Sequence, residues 1–442
     1  MGSKVPFKRD EDPRVYSRRG VLRFLGAATG GLAVAGPFTR VLASAASGSA
    51  LERGRPGSLP GVTEGNVATP GAPASTLWNS DGPYITEPQK APLILLTDRP
   101  VQLETPRHYF ATAFTPNEAF YVRWHLDNIP NEVNLAEWRL RVEGNVSKPL
   151  TLSLRDLMEK FKPVSVAAVN QCSGNSRSRM QPRVPGGQWG NGAMGNALWT
   201  GVRLKDVLDR AGVKAGAVQV RFNGLDDPVV PDGPDFKKSL DIDHARDGEV
   251  MIAYAMNGEQ LPLLNGFPLR LIVPGWYSTY WVKMLNDIEV LDQKDDNFWM
   301  AVAYTIPDTP HASITPGQTG VKLVPINKMV PRSFFTNVAD GATQPAGTVP
   351  LRGIAFGGDS GVDKVELSID GGKTWQPTAL GKDHGKYSFR QWQANVLLAD
   401  KGSHSFMVRC TNQAGDVQPD APNWNPSGFM RNVIETVQVT AS

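Results

Sequence analysis

Glycine and proline breaks constrain this chain more than any other feature. With Gly 44 and Pro 35 in 442 residues, few stretches can run on as long helices. Between the breaks lie short runs rich in Val, Ile, Leu and Phe, at 120–122, 138–142, 164–169, 218–222, 269–273 and 287–291. Such residues suit a pleated, half-buried surface, so these runs predict strands. Helical spacing appears only in short pieces, for example 154–161 and 204–211. The expected body is α+β with mixed sheets.

The texture changes near residue 325. Runs at 348–356, 362–369, 387–392 and 404–409 alternate apolar and polar residues, with turns such as Asp370-Gly371-Gly372 between them. Short strands at intervals of about ten residues predict an immunoglobulin-like β-sandwich over 326–442. Upstream, 46–94 is rich in Gly, Pro, Ser and Ala without a sustained period and reads as a linker. That leaves 95–325 as the principal domain, and a length of 442 residues agrees with two or three units.

Residues 17–23 read Ser-Arg-Arg-Gly-Val-Leu-Arg, a twin-arginine pattern, followed by a mild apolar stretch and an A-x-A-like site at 42–46. The apolar stretch is rich in Gly and Ala and shorter than the roughly twenty residues a bilayer-spanning helix needs. Residues 1–45 are therefore expected to be a signal for export in the folded state, a route used by proteins that take up a cofactor before crossing. The mature chain is expected in the periplasm, with no membrane span.

Composition excludes several classes of function. A net charge of +3 and the lack of a long basic block argue against a nucleic-acid partner. Two cysteines, Cys172 and Cys410, exclude a disulfide scaffold, a Cys-rich zinc module and a protein-ligated iron–sulfur cluster. No C-x-x-C-H occurs, and the 6 histidines form neither H-x-H nor H-E-x-x-H. Gly190 to Gly195 formally satisfies G-x-G-x-x-G, but turn residues precede it where a dinucleotide site needs a buried strand.

The informative stretch is Val169-Asn170-Gln171-Cys172-Ser173-Gly174-Asn175-Ser176-Arg177, an apolar strand running into one cysteine, a small polar turn and an arginine. A thiolate near a guanidinium is a good nucleophile or soft-metal ligand. A buried Cys acting as a small hydrophobe, or a Cys172–Cys410 disulfide, are the competing readings. Arg107, Arg123, Arg177, Arg179, Arg183 and Arg270 have no evident acidic partner, and a guanidinium fork reads oxyanions well.

Five co-linear motifs then resemble the sulfite oxidase family of molybdenum enzymes, especially its bacterial cytochrome-linked sulfite dehydrogenases, over about residues 95 to 440. They are Tyr121-Val122-Arg123-Trp124-His125, the cysteine stretch, 186–194 with Trp189, 254–275, and Trp281-Val282-Lys283. The resemblance implies that Cys172 is the only protein ligand of molybdenum, beside the two sulfurs of a molybdopterin dithiolene. It implies that Arg123, Arg177, Trp189, Tyr304 and Arg431 shape a sulfite pocket. His125, Asp226, Arg270 and Lys283 are implied to hold the pterin and its phosphate, with Trp281 and Val282 giving backbone contacts. The chain departs from the family at Trp124, where Asn is frequent, and at Asn265, where animal enzymes carry His. Nothing resembles the animal haem domain, so electrons are implied to pass to a separate c-type cytochrome or haem subunit. The sandwich is implied to pair subunits in a homodimer, or the chain joins a heterodimer. A dehydrogenase of protein-bound sulfane sulfur, a non-catalytic exported binding protein and a reductase of oxidised methionine are the alternatives.

Overall fold

A computed structural model describes residues 84–85 and 89–442, for 84–85 the backbone alone. The expected signal at 1–45 and most of the expected linker lie outside the described residues. The first sheet is antiparallel, with β1 (Tyr84–Ile85), β2 (Leu93–Asp98), β3 (Val101–Glu104) and β4 (Val122–Arg123) side by side. Next come β5 (Leu140–Gly144), β6 (Leu150–Leu152), helix α1 (Leu154–Lys160), β7 (Pro163–Gln171), β8 (Met194–Arg203) and α2 (Leu204–Ala211). They are followed by β9 (Gln219–Asn223), β10 (Lys237–Asp241), α3 (Ile242–Ala245), β11 (Met251–Met256), β12 (Glu259–Gln260), β13 (Arg270–Ile272), β14 (Asp287–Leu291) and α4 (Phe298–Ala301).

Two sheets carry the body. One has the order β10-β9-β14-β5-β6 and is mixed, because β14 runs parallel to β5. The other, β12-β11-β8-β7 with β13 also on β11, is antiparallel and places the cysteine stretch. The α+β expectation shifts toward sheet, since the longest described α-helix has 8 residues. Both expected helices form where capping chemistry supports them. Ser153 and Asp156 make a reciprocal capping box on α1. Gly212, at φ +70, closes α2 by donating to Leu208 and Asp209 carbonyls. No described helix is long and apolar enough to cross a membrane.

The expected strand at 120–122 forms only as β4, because a short 3-10 turn at Asn117–Ala119 precedes it. Pattern reading missed β8, the longest strand of the body, because Gly195, Asn196 and Gly201 dilute its apolar signal. Those glycines have a packing reason. A Cβ at Gly195 would strike the Phe120 ring, and one at Gly201 would strike the Ile252 carbonyl of β11.

After β15 (Thr305–Pro307) and β16 (Leu323–Pro325) the second unit builds two sheets. Its strands are β17 (Arg332–Phe335), β18 (Ala342–Gln344), β19 (Gly347–Phe356), β20 (Val362–Ser368), β21 (Gln376–Pro377), β22 (Ala379–Leu380), β23 (Arg390–Leu398), β24 (Gly402–Asn412) and β25 (Glu435–Ala441). The sheet orders are β17-β19-β23-β22 and β18-β25-β24-β20-β21. Side chains from both, including Leu351, Trp392, Val365, Phe406 and Val439, share one apolar core. The strand expected at 387–392 starts later, at Arg390. Phe334, Phe389, Phe429 and Met430 of this unit belong instead to the core of the body, so the two units meet across a continuous apolar contact.

Gly201→Ala places a methyl group against backbone that no side-chain rotation can clear. Its expected cost is about 1–3 kcal/mol, read as a lower urea midpoint. An unchanged midpoint contradicts the close β8–β11 approach.

Candidate active site

From Ala167 onward β7 is buried, and it delivers Cys172 into the interior. The Cys172 N–H donates to Ala193 O at 2.9 Å, prolonging the β7–β8 ladder by one rung. The chain then turns back, with Asn175 N donating to Cys172 O at 3.0 Å and Ser176 held at φ +66. That turn buries Arg177. Its Nε donates to Ser427 O at 3.0 Å, its Nη1 to Gly187 O at 3.1 Å, and its guanidinium lies 5.3 Å from the Phe429 ring centre. A Cβ at Gly174 or Gly186 would collide with this guanidinium, so both glycines exist for close approach. Cys410 lies in β24, in the core of the second unit, where burial pushes its thiol up to about 12. Both cysteines are free, which removes the disulfide reading.

Opposite the turn stands Tyr304. Its ring stacks on Phe429 at 5.3 Å, and its hydroxyl meets His125 Nε2 at 2.6 Å. Burial, reinforced by Arg123, Lys283 and Lys238, holds His125 well below its ordinary pKa. The ring is therefore neutral, with one nitrogen carrying the proton and the other free to accept. Its Nδ1 is buried without a partner in the chain. Burial also raises the Tyr304 hydroxyl, with Cys172 pushing up and Arg123 and Arg177 pulling down.

Arg123 leaves β4 opposite Gln102, and its Nη1 is buried without a hydrogen bond. Trp189 is buried, edge-on to Tyr121 at 6.4 Å between ring centres. Arg431 has Arg179, Glu435 and Arg332 as its electrostatic neighbours. Burial pushes it down to about 9.

The residues expected to hold a pterin form a connected group. Tyr121 donates its hydroxyl to Asn170 Oδ1 at 2.6 Å, Arg270 donates to the same oxygen at 3.3 Å and to Asn265 O at 3.1 Å, and Asn265 Nδ2 donates to Tyr121 O at 3.0 Å. Burial pushes Arg270 down to about 10. Burial and Arg270 push Lys283 down to about 7, against the pull of Asp226, which burial raises to about 6. Trp124 makes physical sense of one departure from the family, because Lys283 Nζ lies 4.2 Å from its ring centre, a cation–π seat that asparagine cannot offer. Trp124 and Val122 otherwise pack in a small core with Leu93, Leu103 and Met284. At Trp281 and Val282 the backbone is largely engaged inside the chain. Trp281 N donates to Ser278 O and Val282 N to Tyr280 O, both at 3.0 Å, while Val282 O accepts from Leu271 N at 2.9 Å.

Several contributors escaped sequence reading. Lys90, inside the expected linker, is buried and donates to Asn265 Oδ1 at 2.6 Å, so Asn265 spends its oxygen within the protein. Lys238 is buried on β10, 5.3 Å from the Tyr304 ring centre, where burial pushes it down to about 7. Glu104 accepts from Gly190 N and Gly192 N, both at 2.8 Å, and fixes the loop after Trp189. A lysine on the apolar register of β10 and a glutamate ending β3 were readable signals; Lys90 had none. Of the arginines without evident acidic partners, Arg179 pairs with Glu435 at 2.6 Å, Arg183 reaches Gln188 Oε1 at 3.1 Å and Arg107 reaches Val338 O at 3.0 Å.

The description "Oxidoreductase molybdopterin binding domain" matches residues 125–299, and "Mo-co oxidoreductase dimerisation domain" matches 326–442. The mitochondrial sulfite oxidase of Rattus norvegicus is 34% identical over 380 residues, spanning 81% of this chain and 67% of the rat protein. The sulfite oxidase of Arabidopsis thaliana is 31% identical, spanning 78% of this chain and 94% of its own. The chain belongs to the sulfite oxidase family of molybdenum enzymes. Its fold is also that of the sulfane dehydrogenase SoxCD from Paracoccus pantotrophus, with a TM-score of 0.68 and 24% identity over 78% of this chain and 85% of that one.

The residues present fit a molybdopterin. Buried polar atoms normally find partners, yet Arg123 Nη1, His125 Nδ1, Asn170 Nδ2, Ser173 Oγ and Arg270 Nε have none. These are mostly donors, as an anionic, oxygen- and nitrogen-rich ligand requires. Among the described residues no group of three or more His, Cys, Asp or Glu could hold a metal. A metal held by Cys172 would need further ligands from outside the described side chains, such as an organic cofactor, and a thiolate would suit such a soft centre.

Burial pushes Glu104 from 4.5 up to about 7, against its two backbone hydrogen bonds. Between those values the folded chain keeps a proton that the unfolded chain has released, so Glu104 makes stability fall as pH rises through that window. Glu104→Gln is expected to flatten the fall in urea midpoint between pH 5 and 7. An unchanged slope contradicts the assignment.

Proposed function

We propose that the chain oxidises sulfite to sulfate and passes the electrons singly to a c-type cytochrome in the periplasm, after export by the twin-arginine route. Molybdenum-dependent oxidation of sulfur compounds follows from the family. Sulfite as substrate draws support from the identity with the rat and Arabidopsis enzymes. One observation carries the site assignment. The Cys172 sulfur is a shared electrostatic neighbour of Arg177, Tyr304, Lys283, Tyr121 and Tyr277. A single thiol at the focus of so many polar side chains is a ligand position rather than a hydrophobic filler.

Cys172 would hold the metal, and Arg270, Lys283, Asp226 and the unpartnered His125 Nδ1 would hold the pterin. When bound, the molybdenum centre supplies the oxygen atom that sulfite gains and accepts the two electrons released. Arg123 and Arg177 would neutralise the substrate dianion, and the burial of Arg177 strengthens its fixed charge. Trp189 closes one wall with an apolar ring. Tyr304 and His125, joined by a hydrogen bond at 2.6 Å and both held neutral by burial, would present a fixed polar wall to the substrate. We read the second unit as an immunoglobulin-like sandwich that pairs two chains, in line with the dimerisation-domain match.

Protein-bound sulfane sulfur is the second substrate reading, favoured by the fold shared with SoxCD. Purified full-length protein is expected to hold about one molybdenum per chain and to reduce cytochrome c when given sulfite. Cys172→Ser is expected to abolish that reduction. Normal turnover in the variant contradicts the ligand assignment, and reduction only with a sulfane-sulfur carrier favours the second substrate. Arg123→Gln removes one charged contact, about 1.5–3 kcal/mol. The expected loss in kcat/KM for sulfite is roughly ten- to a hundredfold.

A further inference from the structure

Arg332 lies on β17 of the second unit and is buried. Its Nη2 donates to Ser176 Oγ, and to Asn191 Oδ1 at 2.9 Å. Ser176 Oγ donates to the same Asn191 oxygen at 2.5 Å. Asn191 Nδ2 donates to Glu435 Oε1 at 3.1 Å, and Glu435 Oε2 accepts from Arg179 Nη1 at 2.6 Å. Five side chains therefore form one buried polar network, with Ser176, Arg179 and Asn191 from the body and Arg332 and Glu435 from the second unit. The network grips the segment between Cys172 and Arg177 at its least comfortable point. Ser176 is the residue at φ +66, a left-handed conformation that side chains other than glycine adopt at a cost of about 1–2 kcal/mol. Without that conformation the chain cannot fold back to bury Arg177.

Asn191 also joins the network to the cysteine itself. Its carbonyl accepts from Asn175 Nδ2 at 3.2 Å, and Asn175 Oδ1 accepts from Ala193 N at 3.1 Å. Ala193 O in turn receives the Cys172 N–H. Nearby, Met430 N of the second unit donates to Ser173 O at 3.0 Å. From Arg332 to the backbone of Cys172 the path is continuous and buried.

We propose that Arg332, acting through Ser176 and Asn191, is a positioning residue that lets the second unit fix where the Cys172 thiol and the Arg177 guanidinium stand relative to one another. The inference deepens the sulfite reading and rests on it for its kinetic readout only. Removing the guanidinium frees Ser176 Oγ from its charged donor and loosens the left-handed turn. Cys172 and Arg177 then sample wider positions, while Arg123, Tyr304 and the pterin holders keep theirs.

The test compares full-length wild type with Arg332→Gln, Arg332→Lys, Ser176→Ala and, as a control, Arg409→Gln. Arg409 pairs with Glu366 at 3.0 Å on the partly exposed face of the second unit, away from this network. Two readouts are taken. The first is the alkylation rate of Cys172 by iodoacetamide in metal-free chains, with buried Cys410 as internal reference. The second is the Mo(V) electron paramagnetic resonance signal together with KM and kcat for sulfite. Arg332→Gln and Ser176→Ala are expected to speed Cys172 alkylation about tenfold at constant Cys410 rate, shift the resonance and raise KM about tenfold, the scale of one charged hydrogen bond. Arg332→Lys should recover part of each, and Arg409→Gln should match wild type. Unchanged alkylation and resonance in both Arg332→Gln and Ser176→Ala overturn the proposal, and Ser176→Ala alone decides if Arg332→Gln does not fold. A wild type without sulfite turnover defeats the substrate reading instead, and alkylation still decides the role of Arg332.

Discussion

Cys172 stands where a buried strand runs out, and the charged groups gathered around it are mostly positive. Arg123, Arg177, Arg270, Lys283 and Lys238 all sit on or near this ground, and burial lowers the pKa of Arg177, Arg270, Lys283 and Lys238. The acid beside Lys283, Asp226, is itself raised. Withdrawing a cation from water costs several kcal/mol unless a partner repays it. Asp226 and Asp295 answer only Lys283 and Lys238, and a fold that gathers more cations than carboxylates suits an anion that arrives later. Glycines at 174 and 186 and the left-handed Ser176 serve that demand, since they make room for the Arg177 guanidinium, and Glu104 fixes the Trp189 loop beside it.

The second unit is part of this arrangement. Ser427 receives the Arg177 Nε, Phe429 stacks on Tyr304, and Arg332 and Glu435 hold the turn after Cys172. An apolar core continuous across the two units locks these contacts together. A pocket assembled from both units cannot keep its geometry if they separate, so the packing of the two units and the chemistry at Cys172 are mechanically linked.

What the sequence made legible were features written locally. The run into Cys172, the helical patterns at 154–161 and 204–211, and most strands carry their signal within about ten residues. The family motifs reached further because their order along the chain is itself information. What stayed hidden depended on distant partners. Glu435 lies 256 positions from Arg179, and Arg332 lies 156 from Ser176, so no window could show that either arginine was spoken for. Lys90 hid in a segment with no period at all, and β8 hid because the glycines that allow close packing also erase the apolar pattern. Trp124 read as an unexplained departure until Lys283 was seen against its face.

X-ray absorption at the molybdenum edge tests the central claim most directly. The spectrum of full-length protein is compared with that of Cys172→Ser, in samples of matched molybdenum content. The account predicts one sulfur neighbour fewer in the variant. An identical sulfur count in both, or a wild type with no molybdenum to measure, would contradict it.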